Sequence, residues 1–121
     1  MSKRQILIAE DELMLRVIAV EMLEDAGFHV FQASDGEEAL AILNKNPDIM
    51  LLVSDIKMPR MDGYALARAG LALKPGLKIL MMTGYAEDPP PGLIHNYQIE
   101  ILHKPFNLDR LCELADAMTH A

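Results

Sequence analysis

Short apolar runs alternate along the chain with longer segments in which apolar residues recur at helical spacing. The apolar runs predict strands, and the segments between them, such as the one with Leu13, Val17, Val20 and Leu23, predict helices. The predicted strands lie at residues 5–9, 28–32, 49–54, 77–82 and 99–103, and the predicted helices at residues 13–26, 35–45, 63–73 and 107–118. This alternation is typical of an α/β protein whose parallel sheet carries helices on both faces.

The segment after the fourth predicted strand departs from this pattern, because it contains Pro89, Pro90 and Pro91. Proline lacks the backbone N–H, and its ring clashes inside a helix, so it is tolerated only before a helix or in its first turn. We therefore expect a shortened or displaced helix here, beginning near residue 91 and ending by residue 96.

Composition and charge restrict the class of protein. The 121 residues fit one domain, and the net charge of −7 argues against nucleic acid as a main ligand. The apolar run after residue 5 is too short for a signal peptide, and no run approaches the ~20 apolar residues of a membrane span. Cys112 has no partner for an internal disulfide, which fits a reducing compartment. We expect a single domain over residues 1–121 that is cytoplasmic and binds neither membrane nor nucleic acid.

Polar residues follow four of the predicted strands: Glu10 and Asp11 the first, Asp55 the third, Thr83 the fourth and Lys104 the fifth. Ligands of open α/β sheets bind beyond the carboxyl ends of the strands, so we expect these side chains to converge. Three crowded carboxylates need protons or a cation, and oxygen-only ligands suit Mg²⁺. An aspartate beside Mg²⁺ can attack a phosphoryl group, whose oxygens a lysine and a hydroxyl can then contact. Thr83 as a plain helix cap and Lys104 as a solvated surface cation remain alternatives.

In this order and at these strand ends, the residues resemble the receiver domain of response regulators in two-component signalling. The motifs that carry the resemblance are Glu10-Asp11, Asp55 with Met58-Pro59 and Asp62-Gly63, Thr83-Gly84, and Lys104-Pro105-Phe106. The resemblance covers residues 6–118. It implies a flavodoxin-like, doubly wound parallel sheet of five strands in the order 2-1-3-4-5, with helices on both faces.

The resemblance also implies roles for individual residues. Asp55 would be the phosphoacceptor, and Thr83 and Lys104 would contact the phosphoryl group. Mg²⁺ would be the cofactor, and its ligands would be Asp11, Asp55, the main-chain carbonyl of Lys57 and, through water, Glu10. Asp62 and Gly63 would be structural, as a turn and helix cap.

One position departs from the family. Receivers usually carry an aromatic residue three positions before the lysine, and this chain has Ile101 there. The usual coupling of the threonine to an aromatic side chain is therefore in doubt, and Tyr85 and Tyr97 are candidate substitutes. The switch candidates are Thr83, Tyr85 and Ile101.

The resemblance implies a response regulator rather than an enzyme. A sensor histidine kinase or a histidine phosphotransfer protein would donate the phosphoryl group. The surface formed by the fourth helix, the fifth strand and the final helix would then act on a protein target, or the phosphate would be passed on. We expect a stand-alone domain that is a monomer or a weak dimer.

Three other functions are weaker alternatives. A Mg²⁺ phosphatase of the haloacid-dehalogenase sort would need an aspartate where Lys57 lies. An FMN-binding flavodoxin would need a loop rich in Ser, Thr and Gly after the first strand, where this chain has Glu10 and Asp11. A pseudo-receiver that works without phosphorylation stays open because of Ile101.

Overall fold

Five parallel strands form one sheet in the order β2-β1-β3-β4-β5. The computed structural model describes residues 3–83, 99–103 and 108–120, without the side chains of residues 83, 103 and 108. The strands are β1 (Gln5–Ala9), β2 (His29–Ala33), β3 (Ile49–Asp55), β4 (Lys78–Thr83) and β5 (Ile99–His103), and the helices within the described residues are α1 (Leu13–Asp25), α2 (Gly36–Lys45), α3 (Gly63–Leu73) and α4 (Leu108–Thr119). The predicted doubly wound fold and its strand order are confirmed.

Both faces of the sheet are covered, which explains why its central strands are apolar at almost every position. On one face Leu7 and Leu52 pack with Leu66 of α3. On the other face Ile8 and Val53 belong to a second cluster that includes residues of α1 and α4. Successive strand residues point to opposite faces, so a strand buried on both faces has to be apolar throughout. Each fully buried Leu or Ile contributes about 1.5–3 kcal/mol.

The ends of the helices follow from local chemistry. Asp35 precedes α2 and accepts a hydrogen bond from the Glu38 N–H, and Asp62 precedes α3 and accepts one from the Ala65 N–H, both at 2.8 Å. These side chains satisfy N–H groups that have no partner inside the helix. After α1, Gly27 has φ +101°, a conformation that glycine adopts without strain and that ends the helix.

Several bounds differ from the prediction by one residue. β3 extends to Asp55 instead of ending at residue 54, because pairing with β4 continues there: Asp55 lies opposite Met82, and the Ile56 N–H donates to the Met82 carbonyl at 3.2 Å. β2 and β4 are shifted by one residue, to His29–Ala33 and Lys78–Thr83. The predicted helix at residues 91–96 and the predicted cap at residue 107 lie outside the described residues.

The apolar pattern of α1 predicts the helix better than it predicts its buried face. Leu13 and Val17 are exposed, whereas Ala19, Val20 and Leu23 are buried. The second half of the helix therefore makes the core contact. Among the helices in the described part of the chain, none combines the length and apolar character needed to cross a bilayer.

Candidate functional site

The carboxyl ends of β1 and β3 bring three carboxylates together. Glu10 and Asp11 follow β1, and Asp55 ends the neighbouring strand β3. One ligand oxygen from each residue lies within 4.8 Å of the others. Asp11 and Asp55 are far apart in the sequence. The parallel pairing of β1 with β3, in which Ala9 lies opposite Ser54, brings them close together.

The three carboxylates of this cluster differ in their exposure to solvent. Glu10 is 1% exposed and Asp55 is 9% exposed, while Asp11 is exposed to solvent. Buried carboxylates in proteins are usually paired with a positive charge or coordinate a metal ion. The cluster is therefore a site that a cation would stabilise, open to solvent on the side of Asp11.

The donor set fits Mg²⁺. This ion binds oxygens at about 2.1 Å in octahedral geometry, so oxygens that share it lie about 3.0–4.2 Å apart. The oxygens of Glu10, Asp11 and Asp55 lie within 4.8 Å of one another, a limit slightly above that range. A site with few protein carboxylates leaves coordination positions for water or a phosphate oxygen, as Mg²⁺ sites usually do.

Backbone hydrogen bonds hold the two buried carboxylates. Asp55 Oδ1 accepts from the Lys57 N–H at 3.4 Å, and Glu10 Oε2 accepts from the Glu12 N–H at 3.3 Å. Arg16 braces the same loop, because its Nη1 donates to the Glu10 carbonyl at 2.9 Å and its Nε to Gln32 Oε1 at 3.2 Å. Sequence reasoning missed Arg16, since its contacts depend on how the loop after β1 folds back on α1.

The first residue of α3 packs directly on the main chain of Asp55. The Gly63 N–H donates to the Ile56 carbonyl at 2.7 Å. A Cβ at Gly63 would lie 2.9 Å from Ile56 Cα and 3.1 Å from the Asp55 carbonyl carbon, and closer still to the Asp55 carbonyl oxygen. Glycine is therefore required where helix and strand end meet, and this contact fixes the position of Asp55.

The other predicted site residues are placed as follows. Thr83 ends β4, the strand beside β3, and its backbone lies one residue beyond the level of Asp55. Lys57 is exposed in the loop after β3. Ile101 lies in β5 opposite Met81, and it is half-buried against the core on the α2–α3 face. Lys104, Tyr85 and Tyr97 lie outside the described residues.

Cys112 is held in α4, where its Sγ contacts the Met22 carbonyl at 3.7 Å. Burial, and then the negative charge of Asp109, raise the pKa of the Cys112 thiol. The thiol is thus kept protonated, which agrees with a structural role.

The chain matches the family model of the response regulator receiver domain over residues 6–116, and it belongs to this family. It is 38% identical to the response regulator receiver protein CpdR of Brucella abortus, over 95% of this chain and 96% of CpdR. It is 34% identical to sporulation initiation phosphotransferase F of Bacillus subtilis, over 98% of this chain and 93% of that protein. Among solved structures, the receiver domain of the hybrid histidine kinase CckA superposes with a TM-score of 0.83 at 31% identity, covering 96% of this chain and 99% of that domain.

These findings define the protein as a receiver domain of two-component signalling. Receiver relatives such as CpdR are signalling regulators. The acidic cluster at the ends of β1 and β3 lies where the fold predicts a ligand site.

Proposed function

We propose that this receiver accepts a phosphoryl group on Asp55 and uses the modification to control another protein. The observation that carries the proposal is the cluster of Glu10, Asp11 and Asp55, whose ligand oxygens lie within 4.8 Å of one another. Phosphoryl transfer mainly needs positioning and neutralisation of the negative charge on the phosphoryl oxygens, and a cation held by these carboxylates would supply that neutralisation.

Mg²⁺ is the proposed cofactor. Its ligands would be Asp11, Asp55 and the main-chain carbonyl of Lys57, with the buried Glu10 acting through water. When bound, the ion would supply positive charge beside the oxygens of the incoming phosphoryl group. The donor set of hard oxygens at this sheet edge supports this assignment.

The proposed reaction is transfer from a phosphohistidine to the carboxylate of Asp55. A carboxylate oxygen forms a bond to phosphorus, the phosphorus–nitrogen bond breaks, and the electron pair stays on the imidazole, which takes a proton from solvent. Thr83 and Lys104 would contact the remaining phosphoryl oxygens. The donor would be a sensor histidine kinase or a histidine phosphotransfer protein.

The proposed response is a shift between two conformers of the domain. Thr83 would sense the phosphoryl group, and Tyr85 and Ile101 are the candidate residues that pass the change on. The affected surface would comprise β5, α4 of the structure and the residues between β4 and β5. A downstream protein would bind there, or the phosphate would be transferred onward.

A pseudo-receiver that binds partners without phosphorylation is the second candidate. Ile101 favours it, because this half-buried aliphatic side chain lies where an aromatic switch residue is usual. An aliphatic residue has no hydroxyl that could form a hydrogen bond in one of two orientations.

The test is an NMR titration of amide shifts with Mg²⁺ and then with beryllofluoride, which mimics the phosphoryl group. We expect Mg²⁺ to shift amides near Asp11 and Asp55, and beryllofluoride then to shift residues from Thr83 to the end of β5. The Asp55→Asn variant should lose the second response. Asp48→Asn is the matched control, because Asp48 is exposed at the opposite end of β3 and should respond like wild type.

The outcomes separate the two candidates. Wild-type protein that binds Mg²⁺ but shows no beryllofluoride response beyond the pocket favours the pseudo-receiver. Absence of any Mg²⁺ response overturns the phosphoacceptor proposal.

A further inference from the structure

An ion pair ties the loop that follows Asp55 to the start of α2. Arg60 Nη1 lies 3.1 Å from Asp35 Oδ2, while the other oxygen of Asp35 accepts the capping hydrogen bond from the Glu38 N–H. The Asp35 side chain is 10% exposed and the Arg60 side chain is 65% exposed. The guanidinium therefore reaches from the solvent side to a carboxylate that is already fixed by the helix cap.

The backbone of this loop also packs tightly against α2. A Cβ at Gly36 would lie 2.5 Å from the Met61 carbonyl oxygen and 2.7 Å from Met61 Cβ. Met61 thus occupies space that only a glycine leaves free at the first residue of the helix. The loop cannot move closer to α2, and the pair between Arg60 and Asp35 opposes its movement away.

Arg60 has an unfavourable backbone conformation for its residue type. Its φ is +70°, in the left-handed region that favours glycine. The Met61 N–H donates to the Pro59 carbonyl at 2.8 Å, so Arg60 is the central residue of a tight three-residue turn. A glycine would adopt this turn without strain. The contribution of arginine at this position is therefore its side-chain ion pair with Asp35 and not its backbone preference.

We propose that Asp35 and Arg60 are positioning residues for the loop that follows Asp55, which contains the proposed Mg²⁺ ligand Lys57. Their ion pair holds the turn at residues 59–61 against α2. The chain between Asp55 and this turn, including the main-chain carbonyl of Lys57, is thereby fixed in position. The same segment contributes the Lys57 N–H to Asp55 Oδ1. This inference rests on the proposed function, because it takes Lys57 as a ligand of Mg²⁺.

Two variants distinguish positioning from a simple charge effect. Arg60→Gly removes the cation and relieves the left-handed strain, and Asp35→Asn removes the anion while keeping an oxygen for the helix cap. Electrostatics alone predicts opposite effects on Mg²⁺ affinity, since loss of a nearby cation should strengthen binding and loss of a nearby anion should weaken it. Positioning predicts that both variants bind Mg²⁺ more weakly.

The experiment is a titration with Mg²⁺ that follows the amide shifts of Lys57 and Met58, together with thermal unfolding in the absence of metal. We expect Arg60→Gly and Asp35→Asn each to raise the Mg²⁺ Kd by about threefold to tenfold, which is less than the roughly 10–100-fold that direct outer-shell partners of a metal ligand contribute. The double variant should match either single variant, because one interaction is lost in all three. Arg60→Lys should recover part of the affinity.

Arg110→Ala is the matched control. Arg110 forms an exposed pair with Glu113 at 3.3 Å on α4, so its removal also deletes one surface cation and should leave the Mg²⁺ Kd unchanged. A Mg²⁺ Kd in Arg60→Gly equal to or lower than that of wild type overturns the inference. Wild-type protein that fails to bind Mg²⁺ overturns the proposed function itself, which is a distinct result.

Discussion

Replacing Gly63 by alanine tests whether the contact between α3 and Asp55 is as tight as the structure shows. Helix propensity alone predicts stabilisation, because alanine in a helix is favoured over glycine by up to about 1 kcal/mol. Sterics predict the opposite. The new Cβ would contact the Asp55 carbonyl oxygen far inside van der Waals distance and would lie 2.9 Å from Ile56 Cα. The sign of the change in stability therefore decides between the two effects.

The magnitude follows from which atoms clash. All three neighbours of the new Cβ are backbone atoms, so no side chain can rotate away, and the two segments must separate by about 1 Å. Such overpacking costs about 1–3 kcal/mol. The separation also stretches the hydrogen bond from the Gly63 N–H to the Ile56 carbonyl, now 2.7 Å, which contributes about 1 kcal/mol. We expect a net loss of about 1–3 kcal/mol in the free energy of unfolding and a decrease in Tm of roughly 4–12 °C.

Urea unfolding of wild type, Gly63→Ala and Gly70→Ala measures this effect. Gly70 lies in the same helix, but a Cβ there meets only the side-chain tips of Leu77 and Leu43, at 3.1 and 3.3 Å. These tips can move, so Gly70→Ala should stay within about 1 kcal/mol of wild type. A Gly63→Ala protein as stable as wild type would refute the close packing of α3 on the strand end. Weaker Mg²⁺ binding by the same variant would link this packing to the position of Asp55.

Three further predictions concern the rest of the fold. Arg4→Ala should lower the free energy of unfolding by about 1–2 kcal/mol in urea titrations, because Arg4 stacks over the Phe28 ring at 4.7 Å and also bonds to α4. Gly27→Ala should cost about 1–2 kcal/mol by the same measurement, because φ is +101° there. Burial and Asp109 raise the pKa of the Cys112 thiol in the folded protein above the ordinary value of 9.0. Between pH 9.0 and that raised pKa, the folded protein retains a proton that the unfolded chain releases, so the free energy of unfolding decreases as pH rises. Asp109→Asn should therefore lower that pKa and speed alkylation of the thiol at a fixed pH of about 8; an unchanged rate would contradict this.

The strands and helices were predictable because each depends on a local pattern. β1, α3 and β5 have the predicted bounds, since apolar runs mark the two strands, Asp62-Gly63 marks the start of α3 and Lys74-Pro75-Gly76 follows its end. β3 was predicted one residue too short. Its last residue, Asp55, is charged, and its inclusion in the strand depends on pairing with Met82 of β4, which the local sequence does not encode.

The acidic cluster was predictable for a different reason. Parallel strands place their carboxyl ends at one edge of the sheet, so acidic residues that follow two neighbouring strands must approach one another. The sequence positions of Glu10, Asp11 and Asp55 predicted the cluster once strands one and three were taken as neighbours, as they are in the strand order that the resemblance implies. The roles of these residues as metal ligands and phosphoacceptor remain predictions.

The sequence by itself determined the order of the elements, the two apolar faces of the sheet and the residues that follow each strand, because periodicity and strand ends are local properties. Only the tertiary structure decided that Arg60 reaches Asp35, 25 residues away along the chain, that Gly63 presses on Asp55, and that Arg16 supports the carbonyl of Glu10. These contacts depend on the path of loops between elements. Loop paths are set by how the packed helices and strands meet, and no spacing in the sequence specifies that geometry.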